Sequence, residues 1–495
     1  MQISKLGTIA TGSFGTGAAE ISAYDPVSER IFVSNAESNT IDIISIHDPA
    51  NPQKIITVDC SRFGGGINSV AFKNGLVAAA IEAEVKQMPG SVVFFDISGN
   101  FLKQFTAGAL PDMVTFTRDG KKVLLANEGE PDATYTNDPE GSVTIVDISK
   151  GLENAIVNHV YFRQFNCRKE WLIKRNVRIF GPKATVAQDL EPEFITVGPY
   201  GNFAYVTLQE NNAIAEIDIN HAYCLRIIPM GLKDHSLPGN GIDASDKDGC
   251  VSIRNWPVYG MYQPDAIASY TYMGLRFLVT ANEGDSRDYE GYSEEARIKD
   301  LELDPNVFPN FEELIQKANL GRLKTTTALA QINTSGQYIE LFSFGGRSFS
   351  IIHPSGNLIY DSRDDFEKIT AGKYPDFFNS DNESNLSFDS RSDDKGPEPE
   401  ALVLGHMRGR TYAFIGLERI GGIMVYDITN PFEVDFITYF NPRNFNADEH
   451  SSDTGDLGVE GLVFVEAKDS PVKKPLLIAS NEISGTVTIF QISMQ

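Results

Sequence analysis

The stretch from Leu110 to Ser149, LPDMVTFTRDGKKVLLANEGEPDATYTNDPEGSVTIVDIS, carries a pattern that returns along most of the chain. It reads as three short strands, Met113 to Thr117, Lys122 to Ala126 and Ser142 to Asp147. Each is apolar and rich in β-branched residues, and Asp119-Gly120 makes the tightest turn between them. Carboxylates hold two set places: Asp112 just before the first strand and Glu128 just after the second. A repeat of this kind constrains the fold more than any bulk property, because one such unit cannot bury its apolar faces alone.

Other copies begin at Ala19, Ile67, Glu191, Gln263, Pro397 and Gly458. Fourth strands are expected at Gln53 to Val58, Phe101 to Phe105, His159 to Phe165, Cys224 to Pro229 and Val434 to Phe440. In the Gln263 copy the outer strands are expected at Thr325 to Ile332 and Tyr338 to Phe344, with a helix from Asn310 to Ala318 before them. RSFSIIHPSGNLIYDSRDD, from Arg347, reads as half a copy. The last copy stops after three strands, whereas Ser4 to Ala10 is a lone strand at the other end. The expected fold is all-β: a β-propeller of seven or eight four-stranded blades, closed by the N-terminal strand pairing with the last blade. An array of β-sandwiches would leave that strand without a role. One domain is expected over residues 1–495, with insertions at about 167–187, 230–262, 292–324 and 364–396. The first insertion is basic and expected to be helical for a turn or two.

Aligning the copies places Glu20, Asn68, Asp112, Glu193, Asp265, Glu400 and Glu460 at the start of each first strand. Ala36, Glu82, Glu128, Gln209, Glu283, Glu418 and Glu482 follow each second strand. In a propeller the first strands line a central channel, so these positions form two acidic rings at one mouth. Such residues can serve as hydrogen-bond acceptors that close blades. Crowded carboxylates also repel one another, and take up protons or bind cations. The candidate metal ligands are therefore Asp112, Glu128, Glu193, Asp265, Glu283, Glu400, Glu418, Glu460 and Glu482. Their oxygens select Ca²⁺ foremost, with Mg²⁺, Mn²⁺ and a high-valent Fe compatible, over zinc or copper. The seven histidines are scattered, with none at a ring position.

Three acidic loops lie on the same side: NEGEPDATYTNDPEGS, NEGDSRDYEGYSEEARIKD and SFDSRSDDKGPEPE. Arg287, Arg297, Arg347, Arg391, Lys395 and Arg419 sit in or near them. Arginines among carboxylates form structural ion pairs by default. Beside metal ions, their forked guanidinium groups also make a cradle for phosphate or carboxylate.

The formal net charge of −25 disfavours nucleic acids and anionic membranes as partners, although an acidic excess also suits a merely well-solvated surface. A monomer is expected. Cys60, Cys167, Cys224 and Cys250 are widely spaced, so isolated thiols or one incidental disulfide are expected rather than a zinc or redox motif. DASDKDG, Asp243 to Gly249, resembles a calcium loop but lacks the glutamate at the twelfth position and flanking helices, so it reads as a turn-rich loop with weak calcium capacity. No GxSxG elbow is present. No apolar run is long enough to span a bilayer, and no export signal follows Met1.

The phrases ANEGEPD, DPEGSV, RIFGPKATVAQDLEPE, ANEGDSRDY, SFDSRSDDKGPEPEAL, GLERIGGIMVYDI and DLGVEGL resemble the choice-of-anchor I domain family over nearly the whole chain. The resemblance implies a bacterial propeller, secreted, periplasmic or at the cell surface, although the sequence as it stands would also suit the cytoplasm. Some members are described as alkaline phosphatases, and the acidic channel is similar in kind to that of calcium- and iron-dependent PhoX-type phosphatases.

Three functions are compatible with this pattern. In a metal-dependent phosphoesterase, Glu128, Glu283, Glu400 and Glu460 would hold cations that polarise a phosphoryl oxygen and activate water. Arg287, Arg347 and Arg391 would then be catalytic, neutralising the non-bridging oxygens of a small phosphorylated substrate. In a non-catalytic, calcium-stabilised surface module, the acidic rings only rigidify the propeller. A lactonase-like calcium-dependent hydrolase is the third.

Overall fold

The computed structural model describes residues 1–12, 14–329 and 331–494. Among them are seven four-stranded antiparallel sheets, each built from strands consecutive in the chain except the fifth and the last. The first comprises Ser22–Asp25, Arg30–Asn35, Thr40–Ser45 and Gln53–Asp59. The second comprises Gly66–Lys73, Leu76–Glu82, Pro89–Asp96 and Phe101–Ala109, and the third Pro111–Phe116, Lys122–Asn127, Ser142–Asp147 and Ile156–Tyr161. The fourth runs Ile195–Val197, Phe203–Leu208, Ala213–Asp218 and Tyr223–Pro229. The sixth holds Pro399–Met407, Arg410–Leu417, Ile423–Asn430 and Glu433–Phe440. In the seventh, Val459–Val465, Leu476–Asn481 and Thr486–Ser493 are completed by the N-terminal Gln2–Ala10.

Burial explains the composition of each strand. The second and third strands are covered on both faces by neighbouring sheets, so they read as continuous apolar runs such as Val77 to Ile81 and Val123 to Ala126, all essentially inaccessible. Fourth strands lie outermost, and Gln53–Asp59 is mostly exposed. Each first strand adjoins the first strand of the next sheet, and that of the seventh adjoins that of the first. The radial series is a β-propeller. Gln2–Ala10 pairs along its length with Thr486–Ser493, and the hydroxyls of Thr8 and Thr488 meet at 2.9 Å. Gly7 is required there, because a Cβ would fall 2.5 Å from the carbonyl oxygen of Pro49.

The fifth sheet corrects one expectation. Its strands are Ile267–Tyr272, Leu275–Asn282, Ser348–Ile352 and Leu358–Asp361, so the hairpin after Arg347 is the outer half of this sheet and no separate half copy. The segments expected as its outer strands belong to the intervening insertion. There Lys324–Thr326 pairs with Glu295–Arg297, and Phe342–Ser343 runs parallel to Tyr259–Met261. Ala330, within the expected Thr325 to Ile332 strand, lies outside the described residues. This insertion shares a core of its own with the 230–262 insertion, in which Ile242 and Trp256 pack with Leu303, Phe308, Leu314 and Leu320. Its helix is the single turn Phe311–Leu314. The first insertion forms Lys169–Ile173 and Val186–Asp189, the latter capped by Thr185 in a capping box with Gln188.

Candidate metal centre

All seven residues aligned at the start of the first strands line one cavity of about 190 Å³, together with Gln209 and Glu283. The backbone places them by a shared device. Asn68, Asp112, Glu400 and Glu460 each fall where the pairing of their first strand with the second shifts register. Such bulges re-aim a side chain out of the regular pleat. Glu20, Glu193 and Asp265 each stand two residues before their strands, and their N–H groups donate to the carbonyls of Ser34, Thr207 and Ala281 at 3.2, 3.0 and 3.1 Å.

In and beside this cavity the carboxylates cluster. Asp112, Glu128 and Glu193 each offer an oxygen within 4.8 Å of the other two, and so do Asp265, Glu283 and Glu400. Glu283, Glu398 and Glu418 form a further buried group at the edge. Glu482 belongs to none of these groups, although its charge acts on Glu460 and Glu20. Glu82 pairs loosely with Lys86 at 3.6 Å.

Burial is the largest influence on these acids, and like charge adds to it. Glu20 is pushed up to about 9 by burial and then by Glu460, Asp112, Glu482 and Glu82. Glu460 rises to about 8 through burial and Glu482, while Asp112 rises to about 6 through burial and Glu130, against the pull of Lys86. Glu128, Glu193, Asp265 and Glu400 are held well above the usual carboxylate range for the same reasons. Among the described residues, no side-chain donor or ion-pair partner reaches the carboxylates of Asp112, Glu128 and Glu193. One oxygen of Glu400, Oε2, is buried without a hydrogen-bond partner. An all-oxygen, anionic set with unfilled acceptor capacity fits a hard divalent cation.

The group around Glu398 is already neutralised by the protein. Lys395 Nζ lies 2.7 Å from Glu283 and 3.1 Å from Glu398, Arg391 lies 2.6 Å from Glu398, and Arg419 lies 3.1 Å from both Glu398 and Glu418. Burial pushes Glu398 up, but Lys395, Arg419 and Arg391 outweigh it and hold the acid well below its usual range.

The three arginines expected to face a substrate sit elsewhere or are engaged. Arg287 is 1% exposed; its two terminal nitrogens pair with Asp189 and Glu191, both at 2.9 Å, and its guanidinium stacks 4.5 Å from the ring centre of Phe180. Arg347, 2% exposed, pairs with Glu367 and donates to the carbonyls of Asp243, Ser392 and Asp394. Arg391 is half-buried between Glu398 and Asp394. Three partners not singled out from the sequence, Arg178, Asp189 and Glu210, complete this frame. Arg178 pairs with Glu294 and donates to the Glu210 carbonyl at 2.6 Å. The acidic run DLEPE beside a basic insertion was the only sequence signal for it.

The four cysteines are free, with Cys60 and Cys224 buried and Cys167 and Cys250 exposed. Among the described residues, no helix is long and apolar enough to cross a membrane.

Residues 20–431 match the model of the choice-of-anchor I domain. The chain is 31% identical over 186 residues to Gigasin-3a of Magallana gigas, covering 35% of this chain and 65% of that protein. It is 28% identical over 384 residues to a mesenchyme-specific cell surface glycoprotein of Strongylocentrotus purpuratus, covering 68% of this chain and 49% of that one. The matches thus span less than two thirds of either relative. Among solved structures, Kuenenia stuttgartiensis hydrazine synthase superposes with a TM-score of 0.51 at 12% identity, covering 98% of each chain, a likeness of fold alone.

Proposed function

The chain belongs to the choice-of-anchor I domain family, and on that premise we propose that it is an extracellular β-propeller module that binds divalent cations in its acidic central cavity. In this reading the seven sheets are the blades of a closed ring, fastened by Gln2–Ala10, and the first strands wall a central channel. The observation that carries the proposal is the trio Asp112, Glu128 and Glu193, half-buried and mutually close, with no ion pair to a cation among the described residues. Asp265, Glu283 and Glu400 make a second trio on the same cavity. A Ca²⁺-class cation would replace the missing counter-charge and hold neighbouring blades together. An extracellular setting draws support from the name of the sea-urchin relative, a cell surface glycoprotein.

Calorimetric titration of chelator-treated protein with Ca²⁺, Mg²⁺ and Mn²⁺ tests this reading. The wild type is expected to bind, and Glu128→Gln with Glu193→Gln to lose the tightest site. Absence of binding by the wild type would overturn it.

A second reading, a metal-dependent phosphoesterase, draws on the two trios sharing one cavity, which would let two cations meet one phosphoryl group. A bound metal would polarise the phosphoryl oxygen. The chain's own cationic contribution would come from Lys395, which is held beside Glu283 of the second trio, whereas Arg287 and Arg347 are paired with acids outside the two trios. Turnover of p-nitrophenyl phosphate by protein supplied with Ca²⁺ and with Fe or Mn²⁺ distinguishes it. No turnover from neutral to alkaline pH leaves the binding module standing alone.

A further inference from the structure

Away from the central cavity, three aspartates from two distant loops meet. Asp243 and Asp248 belong to the DASDKDG loop of one insertion, and Asp389 to the acidic loop that precedes Pro399–Met407. Each offers a carboxylate oxygen within 4.8 Å of the other two. Asp243 and Asp389 are 0% and 2% exposed. The two loops are pinned side by side by a separate frame. Arg347 donates to the carbonyls of Asp243 at 2.8 Å and Ser392 at 2.9 Å, and Glu367 accepts from the N–H of Asp243 at 2.7 Å.

Two features point to a ligand at this meeting place. Oδ2 of Asp389 and Oδ2 of Asp248 are both buried without a hydrogen-bond partner, although buried carboxylate oxygens are normally satisfied. The remaining oxygens are used locally: Asp389 accepts from the Ser392 hydroxyl at 2.5 Å, and Asp243 accepts from the N–H groups of Ser245 at 3.3 Å and Ser252 at 2.5 Å. Two nearby cations are already committed. Arg347 answers Glu367, and Arg322 answers Asp246 at 2.9 Å. The charges acting on Asp389 are those of Asp243, Asp248 and Glu367, all acidic.

We propose that Asp243, Asp248 and Asp389 form a second divalent-cation site, of the calcium class, that ties the insertion to the acidic loop shortly before Lys395. DASDKDG lacks the distal glutamate of a calcium-binding helix–loop–helix, and here a residue remote in sequence, Asp389, takes the corresponding part. Such a site fixes the segment that carries Lys395 and Glu398 to the central cavity. It does not depend on the central cavity holding metal.

Terbium provides a local probe, because Trp256 Nε1 donates to the carbonyl of Ile242, next to Asp243, at 3.1 Å. The only other tryptophan, Trp171, lies on the helix Lys169–Ile173. Tryptophan-excited terbium luminescence of the full chain is expected to rise to saturation and to be displaced by Ca²⁺. Asp248→Asn, half-buried on its loop, is expected to weaken terbium binding at least tenfold with unchanged circular dichroism. Trp256→Phe is expected to abolish the signal, and Glu128→Gln to preserve it. No luminescence in the wild type, failure of Ca²⁺ to displace terbium, or a signal unchanged in Asp248→Asn would each overturn the assignment. Should Asp248→Asn misfold, the displacement by Ca²⁺ and the Trp256→Phe comparison still decide the matter.

Discussion

Lys395 Nζ lies 2.7 Å from Glu283 Oε1, joining the loop that enters the sixth sheet to the end of the second strand of the fifth. The same ammonium reaches Glu398 at 3.1 Å, so one buried cation serves two acids at the cavity edge. Lys395 thus does for this group what no side chain among the described residues does for Asp112, Glu128 and Glu193.

Replacing Lys395 with Met leaves Glu283 and Glu398 short of a counter-charge. Removing one partner of a buried pair costs about 3–5 kcal/mol. Metal-free Lys395→Met is expected to lose that much in urea unfolding. Ca²⁺ affinity is expected to tighten by about tenfold or more, since a unit charge several ångströms away is worth upwards of ~1 kcal/mol at an effective dielectric of ~20. Calorimetry showing weaker Ca²⁺ binding would contradict this.

Acidity should stabilise the metal-free cavity. Asp112, Glu460 and Glu20 are pushed up to about 6, 8 and 9 in the fold, above an ordinary carboxylate value of about 4. Between those limits the native state binds more protons than the unfolded chain, so this contribution is full below about pH 4 and is lost as pH rises to about 9. Melting in chelator is expected to show the cavity's contribution falling from pH 5 to 9. Ca²⁺ should flatten that slope, because a bound cation replaces the protons. Identical slopes with and without Ca²⁺ would count against a metal-binding cavity.

Arg287→Met is expected to act on stability. It strands Asp189 and Glu191 in a site with almost no solvent, and a loss of about 3–5 kcal/mol in denaturant unfolding is expected. Ca²⁺ affinity of the folded fraction should change less than twofold. A large change in affinity at unaltered stability would return Arg287 to the ligand site.

Deleting residues 1–10 exposes the edge of Thr486–Ser493 along its full length. An uncovered, apolar edge strand invites pairing with a second chain. The truncated protein is expected to melt lower and to associate on size-exclusion chromatography. A stable monomer would show that the N-terminal strand does not fasten the ring.

The first-strand positions are legible in the sequence because they stand at a fixed place beside an apolar run, and a bulge or strand start aims each into the same cavity. Asp112 and Glu128 could be aligned with Glu400 and Glu283 without any structure. The fifth sheet is not legible in the sequence because strand-like segments such as Lys324–Thr326 fall between its second and third strands. Periodicity alone does not separate them from the true outer pair, Ser348–Ile352 and Leu358–Asp361. The arginines were harder still. Arg287 and Arg391 look alike in sequence, yet Arg287 is sealed by Phe180 of the first insertion and by Asp189 and Glu191 just after it, a docking that no local pattern reveals.

The most direct measurement is a crystal structure of the full chain grown with Mn²⁺, with anomalous differences recorded at the manganese edge. A peak among the carboxylates of Asp112, Glu128 and Glu193, absent from Glu128→Gln with Glu193→Gln, is the predicted result. A cavity with no anomalous density in protein saturated with Mn²⁺ would contradict the account.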